Sequence, residues 1–151
     1  MPVPLQTSPR QTSPILVDPR GPRLGAWVTT VVLSVVLLTG SVALLAVQAA
    51  VFALGAAGRS PYGPVWKRLR RTPPAELEDA RPPRFAQAVG LAFALVGLLG
   101  AGTVLFPTAV ALALAAAFLN AAFGVCLGCE LYLVIRRTLP SRSANREGAP
   151  A

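Results

Sequence analysis

Residues 24–58 read L-G-A-W-V-T-T-V-V-L-S-V-V-L-L-T-G-S-V-A-L-L-A-V-Q-A-A-V-F-A-L-G-A-A-G, 35 positions without a charge. As one helix, rising about 1.5 Å per residue, this run would reach roughly 50 Å against a hydrocarbon core of about 30 Å. It is therefore two spans. Thr39-Gly40-Ser41 is the place for a tight turn, because a glycine flanked by small polar residues allows one near the middle of the run, which gives helices over 22–39 and 41–57. Pro22 suits a first helical turn, where its missing N–H is an orphan anyway, and Trp27 suits a membrane interface.

The rest of the chain fits a membrane protein. Hydrophobic residues make up 54% of its 151 positions and charged residues 13%, half the share of a soluble domain. Upstream, residues 1–21 are rich in proline and read as a disordered cytosolic tail. Downstream, residues 59–84 carry seven basic residues against Glu76, Glu78 and Asp79 and form a charged loop in which Tyr62, Trp66 and their basic neighbours suit the headgroup layer. A third uncharged run, 85–106, is closed by Pro107, and a fourth apolar run, charged only at Glu130, extends from Thr108 to Ile135. Small residues at Ala86, Gly90, Ala94, Gly97 and Ala101 share one helix face, and Ala109, Ala113, Ala117, Ala121, Gly124 and Gly128 form a matching stripe. Such stripes let membrane helices approach closely, so the two runs are expected to pack as a hairpin. Residues 138–151 read as a second disordered tail.

These readings predict an all-α, polytopic membrane protein with four transmembrane helices in two hairpins, spanning about 22–39, 41–57, 85–106 and 108–130. The net charge of +8 lies in the tails and the central loop, while the turns near Gly40 and Pro107 are uncharged. The positive-inside rule then assigns both termini to the cytosol, expected to be that of a bacterial cell with the chain in its inner membrane. The basic charge is matched by lipid headgroups rather than nucleic acid. The absence of histidine excludes imidazole acid–base catalysis and His-based metal sites.

Chemistry concentrates in residues 120–137, N-A-A-F-G-V-C-L-G-C-E-L-Y-L-V-I-R-R, which hold both cysteines, Cys126 and Cys129, followed at once by Glu130. A C-x-x-C pair closes a small ring and lets one thiol resolve a mixed disulfide formed at the other. Gly128 removes a side chain that would obstruct a partner. Twenty-one residues counted from Thr108 set the motif at the cytosolic boundary, where thiol exchange or sulfur relay with a thioredoxin-like or sulfurtransferase partner is one reading. A packing role in an accessory or structural subunit, and thiolate metal binding shared by a homo-oligomer, are the alternatives. No cofactor is called for. On a continuous fourth helix the cysteines would sit at its negative C-terminal end, which disfavours thiolate; a break at Gly124 or Gly128 would reverse that field. Glu130 is either a proton acceptor for a thiol or a marker of the water boundary. Gln48 and Asn120 are polar residues within spans, read as interhelical hydrogen-bonders, with Asn120 also a candidate for a polar pocket leading to Cys126.

The segments V-D-P-R-G-P-R at 17–23, R-F-A-Q-A-V-G at 84–90 and N-A-A-F-G-V-C-L-G-C-E-L-Y at 120–132 resemble the bacterial integral-membrane family known as domain of unknown function 4395. The likeness spans about residues 15–137, with C-x-G-C-E its most specific element. It implies a four-helix membrane protein of unestablished activity, associated with sulfurtransferase and thiol-redox neighbours.

Overall fold

The computed structural model describes residues 16–18, 20–59, 61–69 and 78–138. Of the stretches read as disordered, 1–21 and 138–151, residues 1–15, 19 and 139–151 lie outside these, while 16–17 form a strand and 20–21 and 138 belong to helices. The first uncharged run forms α1 (Arg20–Thr39) and α2 (Val42–Ala56). They divide where the sequence predicts: Gly40 turns at φ 66°, its N–H donates to the Val36 carbonyl at 2.8 Å, and Ser41 Oγ caps α2 by accepting from the Leu44 N–H at 3.2 Å. The basic loop folds into α3 (Tyr62–Leu69), and the second half of the chain supplies α4 (Arg81–Leu99), α5 (Leu105–Phe123) and α6 (Leu127–Thr138). Two short strands, β1 (Leu16–Val17) and β2 (Glu78–Asp79), pair antiparallel with Leu16 opposite Asp79. Helices α1, α4 and α5 are long and apolar enough to cross a membrane; α2 is apolar but has only 15 residues.

The second half departs from the expected bounds at both helices. The third helix does not run to Phe106 but ends at Leu99, and residues 100–104 make the turn, with Gly102 at φ 83°. Pro107 sits in the first turn of α5, where the amide it lacks has no intrahelical acceptor, so it starts a helix rather than stopping one. The fourth helix, expected to reach residue 130, breaks after Phe123.

The core gathers Leu33 and Val36 of α1, Leu45, Ala49 and Phe52 of α2, Ala94 of α4, and Phe106, Val110 and Ala113 of α5. Within it, α4 and α5 touch as a hairpin, yet the principal contacts cross between hairpins: α1 lies on α5, and α2 on α4. A Cβ at Gly90 would meet the Phe52 ring at 2.9 Å and one at Gly97 would meet Leu45 at 3.0 Å, so α2 and α4 run antiparallel in close approach. The small-residue stripe of α4 thus receives α2 and α6 as well as α5. Facing outward are Leu38, Leu99 and Phe123, which are 87%, 90% and 72% exposed, an arrangement suited to lipid rather than water.

An internal duplication runs through this architecture. Residues 18–23 read D-P-R-G-P-R and residues 79–84 read D-A-R-P-P-R, the first directly after β1 and the second starting on the last residue of β2. Asp18 Oδ1 accepts from the Arg20 N–H at 3.0 Å, and Asp79 Oδ1 accepts from the Arg81 N–H at 2.9 Å, so the two aspartates open α1 and α4 in the same way. Arg23 then reaches the end of α5, and Arg84 packs its guanidinium on Gly58 just past the end of α2. The short helices correspond too. The Tyr62 ring of α3 rests on Gly25 of α1, and Gly128 of α6 rests on Ala86 of α4. The chain is therefore two repeats of strand, helix, helix and short helix, and the first helix of each packs on the second helix of the other. The shared D-x-R-x-P-R is the sequence signal for this; the apolar helices, whose side chains are interchangeable in lipid, carry little more.

Candidate functional site

Helix α5 ends at Gly124, whose φ of 71° is left-handed and whose N–H donates to the Asn120 carbonyl at 3.1 Å. A residue with a Cβ would be strained there. Val125 and Cys126 are non-helical, and α6 starts at Leu127. Of the two glycines that were candidates for a break, Gly124 makes it. Cys126 stands at the N-cap of α6, its carbonyl accepting from the Glu130 N–H at 3.0 Å, and Cys129 lies in the first turn. The two sulfurs pair as a disulfide, with Cα atoms 5.2 Å apart. Gly128 does not serve to clear a path for a partner. A Cβ there would lie 2.6 Å from Cα and Cβ of Ala86, so its smallness lets α6 seat on α4.

The break reverses the field at the thiols. The free N–H groups of the first turn of α6 favour negative charge on a sulfur beside them. The opposing charge, on the last carbonyls of α5, is neutralised by Arg23 of α1, whose Nε donates to the Ala121 carbonyl at 3.2 Å and whose second guanidinium nitrogen donates to Ala122 at 3.4 Å. One guanidinium thus satisfies two carbonyls left orphaned by the end of the helix. Glu130 is exposed in the first turn, and Arg136 and Arg137 lie in the last, the polarity a helix dipole favours. Helix α6 is held on α4 by the Tyr132 ring, 5.7 Å from that of Phe85, and within α6 the Arg136 guanidinium lies 5.9 Å from the same ring.

Above the cysteines a cavity of about 670 Å³ opens between α1, α4, α5 and α6. Its walls are largely apolar, from Ala26, Phe93, Leu112 and Ala116 among others, and one end gathers Arg20, Arg23, Gln87, Asn120, Glu130 and both cysteines. Asn120 and the thiol pair, named together from sequence, line one cavity. Gln48 does not join them. It is buried, and its Nε2 donates to Thr29 Oγ1 at 3.4 Å. The Thr29 hydroxyl is in turn hydrogen-bonded to Tyr62, whose phenol burial pushes above its ordinary pKa while the Thr29 bond works against that shift. The chain Gln48–Thr29–Tyr62 ties α1, α2 and α3 together. Among the described residues no three Cys, Asp or Glu side chains converge as a metal site.

Sequence reasoning missed Arg23 and Gln87. Arg23 falls at the start of the span expected over 22–39 and is given no role there, although its place in D-x-R-x-P-R is a signal; Gln87 carries no signal apart from its position on a mostly apolar helix. No curated protein and no solved structure matches the chain. The family described as Domain of unknown function (DUF4395) matches residues 17–137, which covers both repeats and the C-x-G-C-E element, and the chain belongs to that family.

Proposed function

We propose that Cys126 and Cys129 form a reversible dithiol–disulfide site at a membrane boundary, exchanging electrons with a soluble protein of thioredoxin-like or sulfurtransferase type. The break at Gly124 carries this reading, because it sets the pair on the positive end of α6 instead of the negative end of α5. Cys126, at the N-cap, is the attacking thiol. Its thiolate bonds to one sulfur of a partner disulfide and expels the other as a thiolate, which takes up a proton. Cys129, deprotonated, then attacks the Cys126 sulfur, closes the internal disulfide and releases the partner as a dithiol. Two electrons and two protons pass to the partner. The reverse sequence oxidises a partner dithiol through the same mixed disulfide.

In this reading all four long helices cross the bilayer, and α2, about 22 Å long at 15 residues, does so with local thinning. The basic loop, both termini and the thiol pair then face the cytosol. The test uses reduced protein in lipid nanodiscs and oxidised glutathione. Cys129→Ser is expected to retain a glutathione adduct at Cys126, formed about tenfold faster than any adduct of Cys126→Ser, while the unaltered protein ends as the internal disulfide without adduct. Equal, slow labelling of the two variants would sink the proposal.

A further inference from the structure

We infer that the cavity beside Cys126 and Cys129 is a site for a lipid-soluble para-quinone, which accepts the electrons of the dithiol. This rests on the reading of the pair as redox-active and names its second partner. The cavity is of a size that holds a small molecule, and most of its wall belongs to α1, α4 and α5, the helices long and apolar enough for a bilayer, which suits a lipid-soluble ligand. The lining combines small residues, Gly90 of α4 and Ala116 and Ala117 of α5, with the rings of Phe52 and Phe93. A flat ring packs well on such faces. At the polar end stand Arg23 and the amides of Gln87 and Asn120, and these two amides make no side-chain hydrogen bond among the described residues. Donors gathered at one end of a largely apolar cavity match the two carbonyl oxygens of a quinone, which a lipid acyl chain does not offer.

The chemistry balances between the two groups. One thiolate adds to a ring carbon of the quinone, and the displaced electron pair moves onto a quinone oxygen, which is protonated. The second thiolate attacks the sulfur of this adduct, forming the disulfide and breaking the carbon–sulfur bond. Its electron pair stays with the ring, restores aromaticity and is protonated at the second oxygen. The dithiol loses two electrons and two protons, and the quinone becomes a hydroquinone that leaves through the membrane. The protein thereby passes electrons from a soluble dithiol to the bilayer quinone pool.

The experiment adds decylubiquinone, whose fully substituted ring forms no lasting thiol adduct, to the reduced protein in nanodiscs. The expected result is one hydroquinone per disulfide formed, read by ultraviolet absorbance and by thiol-reactive mass tags, and none from Cys126→Ser or Cys129→Ser. Filling the cavity with Ala116→Phe, or independently with Ala117→Leu, slows quinone-driven oxidation at least about tenfold relative to glutathione-driven oxidation of the same variant. Oxidation by glutathione but not by the quinone, or equal slowing of both reactions in the filled variants, overturns the quinone site and leaves thiol exchange standing. A dithiol inert to both oxidants overturns both.

Discussion

Arg23 links the fold to the chemistry because it answers two needs at once. The end of α5 leaves carbonyls without partners, and the cysteines that follow need a local field that is not negative; a guanidinium on Ala121 and Ala122 meets both. Arg23→Gln is expected to lower stability by about 2 kcal/mol, as for the loss of charged hydrogen bonds, and to slow the reaction of Cys126 with oxidised glutathione several-fold when introduced into Cys129→Ser. Arg84→Gln is the internal control. Arg84 of the second repeat is the counterpart of Arg23 and packs on Gly58 past the end of α2, so its loss should cost stability while leaving the thiol rate unchanged. Thermal unfolding and adduct kinetics on the two variants separate these outcomes. Taken singly, either arginine reads as a positive-inside charge, since a charge beside a span serves topology wherever it points; only the repeated D-x-R-x-P-R sets the two apart. The cysteines and Asn120 were legible because thiols and amides are rare in apolar runs, and each such residue needs a reason to be there.

At the level of elements, the short helices α3 and α6 show how one design tolerates opposite side-chain choices. In the first repeat a large ring, Tyr62, rests on Gly25; in the second a glycine, Gly128, rests on Ala86. The second contact brings the backbones closer and fixes the C-x-G-C turn against α4. Gly128→Val would drive its side chain into Ala86, at a cost of about 1–3 kcal/mol, and lift α6 away. Hydrogen exchange should then rise across α6 and fall off sharply towards α1 and α2, whereas protection lost evenly over the chain would contradict this local role. Element boundaries were legible unevenly. Gly40-Ser41 marks its turn because a left-handed glycine and a serine cap act at once and locally. Pro107 misled because a proline disfavours the helix before it and equally suits the first turn of the next. Only the glycines of residues 100–104 tell the two apart.

Over the whole molecule, the duplication explains why the same end of the bundle carries both D-x-R-x-P-R segments, both short helices and the basic loop. Two-helix repeats return the chain to the side it started from, so the repeats run parallel and their functional ends coincide. A reporter enzyme fused after Arg137 is expected to be active only on the cytosolic side, and a second fused within the basic loop should agree with it; activity of either on the opposite side would contradict the orientation. Composition and uncharged length alone determined that this chain is helical and suited to a membrane, because lipid admits no unsatisfied backbone and the length of each run is set by bilayer thickness. They also brought a thiol pair to the edge of the last span. Tertiary structure decided what surrounds that pair. The choice of Gly124 over Gly128 as the break depends on an arginine about a hundred residues earlier capping the freed carbonyls and on Ala86 receiving Gly128, two contacts between distant segments that no local pattern encodes. Residues 120–137 therefore name the chemistry, and the packing of α1 and α4 around them sets the sign of the field in which it occurs.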